Sequence, residues 1–125
     1  MTTPLRLVYG YLYCGNESPD HLAVQREVIT ATAKTLGLLL DTVFVDYRVT
    51  PLAMNRPSLR SLLDVVRAFR PYGVLIPSPQ HLSYWPKERA DLLGRFQSLA
   101  CPVLVADGRK ASVLGAGRVE NSGSS

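Results

Sequence analysis

Residues 8–20 read VYGYLYCGNESPD, an apolar run that gives way to a short polar loop. From Leu5 to Cys14 the residues are aliphatic and aromatic with few interruptions, which predicts a central strand covered on both faces. Asp20 is a residue type that caps helices, and apolar side chains recur at helical spacing over residues 21–36. Gly37 is suited to end that helix. The stretch therefore predicts a strand, a loop and a helix in that order.

The same alternation continues to about residue 106. It predicts further strands at residues 38–45, 72–76 and 102–106, with a loop at 46–55 and helices that begin at Pro57 and Pro86. Proline is favoured in the first turn of a helix because its missing N–H would have no partner there. This order predicts a three-layer α/β fold, with a mostly parallel sheet of four or five strands and helices on both faces.

The composition fits a single globular domain. The chain has 125 residues, of which 46% are hydrophobic and 19% charged, enough for a core that needs no metal or disulfide. We divide it into a domain at residues 1–107 and a Gly/Ser-rich tail at 108–125 that we expect to be largely flexible. Within the tail, KASVLG (residues 110–115) could add a short edge strand.

Charge and cysteine usage limit the partners. The net charge of +4 permits contact with DNA, but the basic residues are dispersed and form no polybasic arm. Cys14 and Cys101 lie in apolar runs and are expected to be buried, reduced thiols. His21 follows Cys14, yet no second pair of ligands is evident, so we expect no metal and no cofactor. No signal peptide or membrane-spanning run is recognisable, which predicts a cytoplasmic protein without a membrane partner.

Two loops, at residues 15–20 and 77–85, follow predicted parallel strands. Ligand sites of α/β proteins lie beyond the carboxyl ends of such strands, so both loops are candidate positions for a site. Ser78 and His81 share the second loop, but they lack a glycine elbow and a placed acid, which favours a structured loop over a hydrolase site. The same loop carries two adjacent large aromatics, Tyr84 and Trp85, which we interpret as a cap on the core or an anchor for a partner.

Three motifs resemble one known family, the serine recombinases of the resolvase and invertase type. They are YGYLY (residues 9–13), NRPSLRSLLDVV (55–66) and GVLIPSPQHLS (73–83). In that family the first strand reads Gly-Tyr-Ala-Arg-Val-Ser, the second helix begins Asp-Arg-Pro-x-Leu-x-x-Leu-Leu, and the third strand leads into Leu-Asp-Arg-Leu-Gly-Arg. The resemblance covers about residues 5–106 and implies a resolvase-like catalytic-domain fold.

The resemblance also implies which positions would carry chemistry. In the family a serine hydroxyl attacks a DNA phosphate while arginines neutralise the phosphate charge. Matching the first motif places Tyr13 at an arginine position and Gly15 at the nucleophilic serine. Arg56 matches the arginine of the Arg-Pro motif, where a phosphate-binding side chain and a solvated one are both open interpretations.

In the third motif three further positions depart from the family. Gln80 replaces the aspartate, His81 the first arginine and Tyr84 the last one. Ser18 is a possible displaced nucleophile, but with the following proline it fits a helix cap better. The resemblance thus implies a pocket that has lost its nucleophile and most of its arginines, which inclines the interpretation towards a protein that is not an enzyme.

We therefore hypothesise a non-catalytic resolvase-like domain in a bacterial cytoplasm that self-associates or binds a protein partner. The first alternative is a DNA-binding or recombination-related protein, whose affinity would fall steeply with salt. The second is a flavodoxin-like domain that binds a small ligand or phosphate at the same strand ends. Tyr9, Tyr11 and Tyr13 alternate on the first strand and are predicted to be packing residues, with the Tyr13 hydroxyl reaching towards the cleft.

Overall fold

The structure is a computed structural model that describes residues 6–15, 18–47 and 56–115. Its strands and helices alternate along the chain, as the apolar pattern predicts. The strands are β1 (Arg6–Cys14), β2 (Leu38–Tyr47), β3 (Gly73–Ile76), β4 (Val103–Ala106) and β5 (Ala111–Val113). The helices are α1 (Pro19–Leu36), α2 (Pro57–Phe69) and α3 (Pro86–Ser98), with a 3-10 turn at Pro79–His81 between β3 and α3.

The strands form one five-stranded sheet in the order β2-β1-β3-β4-β5. The first four are parallel to one another, and β5 pairs antiparallel with β4 at the edge. This confirms the predicted α/β class, and it confirms the short edge strand expected in KASVLG. The strand order reverses direction between β1 and β3, so the crevice where such sheets bind ligands lies at the carboxyl ends of these two strands.

Helices cover both faces of the sheet. On one face, α1 contributes Ile29 and Ala33 to a core with Val8 and Leu12 of β1. On the other, a larger core joins three tyrosines of β1 to side chains of α2 and α3, among them Tyr9, Tyr11, Tyr13, Leu59, Leu62, Leu92 and Phe96. Because β1 is buried on both faces, its apolar run has no polar alternation.

The helix starts follow the sequence signals with one correction. α1 begins at Pro19, two residues earlier than predicted, and Ser18 is its N-cap; the Ser18 hydroxyl accepts a 3.2 Å hydrogen bond from the His21 N–H. The prediction of Asp20 as the cap was therefore wrong, and the capping interpretation of Ser18 is confirmed. Gly37 ends α1 with φ of 69°, as predicted, and α2 and α3 begin at their prolines.

β2 is longer than predicted and occupies one edge of the sheet. It extends through Asp46 and Tyr47, which were assigned to a loop; the remainder of that loop, residues 48–55, lies outside the described chain. Val8 pairs with Leu40 and Gly10 with Val43, so two residues of β2 stand opposite one residue of β1. This is a β-bulge at Asp41 and Thr42.

Both cysteines are buried thiols, as predicted. Burial raises the pKa of the Cys101 thiol to about 11, so this side chain behaves as a small core hydrophobe at neutral pH. No helix in the described ranges is long and apolar enough to cross a membrane.

Candidate functional site

The carboxyl ends of β1, β2 and β3 meet at one edge of the sheet, close to the start of α2. Tyr13 lies near the end of β1 and Asp46 near the end of β2, while the loop of residues 77–85 follows β3. Arg56 immediately precedes α2. These elements bring together a set of polar and aromatic side chains at the point where the strand order reverses.

Asp46 organises the inner part of this edge. Its carboxylate is buried and accepts three hydrogen bonds: from the Tyr11 hydroxyl at 2.7 Å, and from the backbone N–H groups of Ser58 and Leu59 at 2.9 Å each. The residue at the N-cap of α2, Arg56, makes no side-chain capping bond. Asp46 therefore caps α2 from a different strand, which offsets the unpaired donors at the start of that helix.

The environment of Asp46 also fixes the protonation of Tyr11. Burial, followed by the hydrogen bond to Asp46, raises the pKa of the Tyr11 hydroxyl well above its ordinary value. Tyr11 consequently remains a protonated donor. The sequence prediction missed Asp46 because it placed this residue in a loop. The sequence does contain a signal that could have identified Asp46: it is a carboxylate at the end of an apolar run, eleven positions before a helix that starts without a capping side chain.

Arg56 is the most deeply enclosed charge at this edge, with 0% of the residue exposed to solvent. Nη1 donates to the backbone carbonyl of Leu82, and Nη2 lies 3.4 Å from Oε1 of Glu88 in α3. The guanidinium carbon stands 4.3 Å from the centre of the Tyr13 ring, within cation–π range. The interpretation of Arg56 as a solvated side chain was therefore wrong. It connects the start of α2 to the loop and to α3.

The loop after β3 is held by a second set of polar contacts. Ser83 is buried, donates to Glu88 Oε1 at 2.7 Å, and accepts from the Trp85 N–H at 3.1 Å. Nε of Arg89 donates to the Ser83 carbonyl at 3.2 Å. Glu88 thus accepts from both Ser83 and Arg56, which fixes the loop relative to α3.

His81 joins the same loop to β1. The β1–β3 ladder ends at the pair Gly10 and Leu75, and the N–H of Tyr13, three residues further along β1, donates to Nδ1 of His81 at 3.0 Å. The His81 side chain thus accepts a hydrogen bond from β1 beyond the end of the β1–β3 ladder. Because a backbone N–H can only donate, Nδ1 of His81 is the acceptor and carries no proton in this arrangement.

Tyr84 and Trp85 form the outer part of the edge. Their exposures are 46% and 52%, so neither is a buried cap on the core. The Tyr84 ring packs edge-on against Tyr13, with 5.9 Å between ring centres. Tyr9, Tyr11 and Tyr13 all lie in the core cluster, which confirms that they are packing residues. We use the name carboxyl-edge cluster for Tyr13, Arg56, His81 and Tyr84.

The remaining candidates lie apart from this cluster. Gly15 is half-buried, and a Cβ built on it would meet no heavy atom within 4 Å. Ser18 is exposed and occupied as the cap of α1, and Gln80 is exposed on the 3-10 turn. Among the described contacts, none joins Gly15, Ser18 or Gln80 to the cluster. The described residues also include no group of three potential metal ligands.

No protein-family model and no curated protein matches the sequence. Solved structures nevertheless share its fold. The N-terminal catalytic domain of TP901-1 integrase superposes with a TM-score of 0.75 at 16% identity, over 95% of this chain and 92% of that one. The C-terminal catalytic domain of ISC1926 TnpA, an IS607-like serine recombinase, gives a TM-score of 0.70 at 19% identity, over 79% of this chain and 66% of that one. The chain therefore has the fold of serine recombinase catalytic domains.

Proposed function

We propose that this chain is a cytoplasmic domain of serine recombinase fold that acts by binding a second copy or another protein, without recombinase chemistry. The proposal rests on the carboxyl edge of the sheet, where the resemblance places the family's reacting groups. Two buried thiols, Cys14 and Cys101, are typical of a reducing compartment and support the location.

The observation that carries the proposal is the state of Arg56. By resemblance it is the one catalytic-type residue retained, yet it is fully buried and bound to Leu82 and Glu88. A guanidinium that stabilises a reacting phosphate has to reach it with free N–H donors. Here the donors bind the protein itself, which supports a structural role for Arg56.

Two further features point the same way. Gly15 supplies no hydroxyl at the position matched to the nucleophile, and the Ser18 hydroxyl accepts a hydrogen bond as the cap of α1. Tyr13 and Tyr84 stand at positions matched to arginines, and their rings pack against each other. An aromatic pair cannot neutralise a phosphate as two arginines would, whereas exposed aromatic side chains are common anchors in protein interfaces.

The loss of chemistry is tested by incubating the protein with supercoiled plasmid and end-labelled duplex DNA, then resolving nicked and protein-linked products under denaturing conditions. We expect neither product from the wild type or from Gly15→Ser, a variant for which there is steric room. A covalent adduct that disappears in Ser18→Ala would overturn the proposal, because it would identify Ser18 as a nucleophile.

The binding half is tested by sedimentation velocity over a wide range of protein concentrations. We expect reversible self-association that Trp85→Ala weakens at least tenfold, as expected for a central aromatic anchor. Phe69→Ala is the matched control, since Phe69 is also a large exposed side chain but lies at the end of α2. A wild type that stays monomeric throughout, or equal weakening by both variants, contradicts self-association through Trp85.

DNA association without cleavage is the second candidate. It is favoured by the net charge of +4 and by the names of the two similar structures, an integrase and a recombinase. Fluorescence anisotropy with a short labelled duplex at two salt concentrations tests it. Affinity that falls steeply with salt supports it, because phosphate contacts release counterions; no binding at low salt overturns it.

A further inference from the structure

The contact between His81 and Tyr13 depends on the charge of an imidazole. Nδ1 of His81 accepts the Tyr13 N–H at 3.0 Å, and only an unprotonated nitrogen can do so. Protonation of Nδ1 would place two donors face to face. The hydrogen bond exists only with Nδ1 unprotonated, and histidine is the side chain that gains a proton in the mildly acidic range.

The described elements bring groups of both charges to this edge of the sheet. They are Tyr11, Tyr13 and Cys14 from β1, Asp46 and Tyr47 from β2, Arg56 from the start of α2, Tyr84 from the loop, and Glu88 and Arg89 from α3. The carboxylate of Asp46 accepts hydrogen bonds from Tyr11 and the start of α2, and Glu88 is paired with Arg56. Both carboxylates are therefore already engaged by other groups.

His81 is placed to transmit this change to an exposed surface. The 3-10 turn that it ends leads through Leu82 and Ser83 directly to Tyr84 and Trp85. Tyr84 also packs on Tyr13, the residue whose N–H His81 accepts. When the bond between His81 and β1 is lost, the loop retains its contacts to α2 and α3 but loses its hydrogen bond to the Tyr13 N–H.

We propose that His81 is a proton-sensitive positioning residue: neutral His81 holds the loop of residues 77–85 against β1, and protonated His81 releases it. The biological consequence rests on the proposed function, because the surface that moves is the aromatic pair proposed to bind a partner. At neutral pH Tyr84 and Trp85 are held in one arrangement, and in mild acid they are not. Partner binding through this pair would accordingly weaken as the pH falls.

The sequence supplies a clean optical test. Trp85 is the single tryptophan of the chain, and His81 and His21 are its two histidines. We expect the fluorescence of the wild type to show one titration between roughly pH 8 and pH 5, the range in which histidine changes charge. The change should be absent in His81→Asn, whose side-chain oxygen can accept the Tyr13 N–H without titrating. It should persist in His21→Asn, because His21 lies exposed on α1.

A second measurement distinguishes loop release from a direct effect of charge on the indole. Amide hydrogen exchange at Tyr13, corrected for the intrinsic dependence on pH, should speed up at least tenfold between pH 8 and pH 5 in the wild type and remain protected in His81→Asn. Circular dichroism at pH 8 checks that the variant is folded, and His81→Gln serves as a second acceptor variant if it is not.

Two results would overturn the inference: a wild type whose Trp85 fluorescence is constant over this range, or an equal transition in His81→Asn. These outcomes are separate from those of the proposed function. DNA cleavage by a protein that shows the His81-dependent transition overturns the proposed function and leaves the positioning role intact. An inert protein with constant fluorescence and unchanged Tyr13 exchange overturns the positioning role alone.

Discussion

The Tyr11 hydroxyl donates a 2.7 Å hydrogen bond to Oδ2 of Asp46, a residue 35 positions away on the neighbouring strand. The same carboxylate accepts the N–H groups of Ser58 and Leu59 at the start of α2. One buried charge thus joins β1, β2 and α2 beneath the carboxyl-edge cluster. Because it is satisfied by three donors and no cation is among them, its loss would leave all three unpaired.

Replacement of Asp46 should consequently be among the more damaging changes on β2. We expect Asp46→Ala to lower the free energy of unfolding by about 3 kcal/mol, the order expected when a charged acceptor is removed from buried donors. Urea denaturation followed by circular dichroism measures this. Asp41→Ala is the control on the same strand, where the side chain is exposed, and it should change stability by less than about 0.5 kcal/mol. Equal losses would contradict the role given to Asp46.

The hydroxyl of Tyr11 can be removed with little change in shape. We expect Tyr11→Phe to cost about 2 kcal/mol at pH 7, because a donor to a buried carboxylate is lost. Tyr9→Phe, on the same face of β1, should cost less than about 1 kcal/mol. A loss from Tyr9→Phe as large as that from Tyr11→Phe would show that the Asp46 contact is not the cause.

The same substitution should alter the response to alkali. Burial and the Asp46 hydrogen bond raise the pKa of Tyr11 in the folded state above the ordinary value of 10.0. The stabilisation is therefore fully present below pH 10 and is lost as the unfolded chain ionises at higher pH. Urea midpoints measured from pH 9 upwards should fall more steeply for the wild type than for Tyr11→Phe. Parallel curves would contradict this assignment.

Arg56 should be required for stability. Arg56→Ala removes the donor to Leu82 and the ion pair with Glu88, for which we expect a loss of about 3 kcal/mol in urea denaturation. Arg56→Lys should recover little of it, because an ammonium cannot reproduce the planar, forked donors. Arg60→Ala, exposed on the first turns of α2, should be nearly neutral. An Arg56→Ala variant of nearly unchanged stability would contradict the role of Arg56 in connecting the start of α2 to the loop and to α3.

Replacing each of two glycines by alanine should change the stability of the protein in opposite directions. Gly37 has φ of 69° at the end of α1, a conformation that costs an alanine about 1 kcal/mol. Gly94 lies inside α3, where an added Cβ meets nothing within 4 Å, so Gly94→Ala should raise helix propensity and stabilise by about 1 kcal/mol. Thermal denaturation of the two single variants checks the signs. Shifts in the same direction would contradict one of the two assignments.

The strands and helices could be predicted because each carries a local signal. The largely apolar run of β1 and the prolines at 57 and 86 are local signals that can be read from neighbouring residues alone. The choice between Ser18 and Asp20 could not be made in this way, since both residue types cap helices and they lie two positions apart.

The inner part of the candidate site could not be predicted from sequence because its contacts join distant segments. Asp46 accepts hydrogen bonds from residues 11, 58 and 59, which are distant from it in sequence. No local sequence pattern predicts that these groups come together. Arginine is rarely buried, so the enclosure of Arg56 follows only from where Leu82, Glu88 and Tyr13 come to lie. The resemblance pointed to this edge of the sheet as the candidate site, but it did not indicate how the side chains there are engaged.

The bulge at Asp41 and Thr42 affects how separate molecules can meet. An exposed ten-residue strand is an open template for adding further strands, the route by which sheet proteins polymerise into fibres. Here the irregularity falls near the middle of β2 and carries an exposed carboxylate. An incoming strand cannot keep its hydrogen-bonding register across that point. The bulge therefore hinders open-ended addition of strands at this edge of the sheet. Specific association then depends on surfaces that recognise side chains.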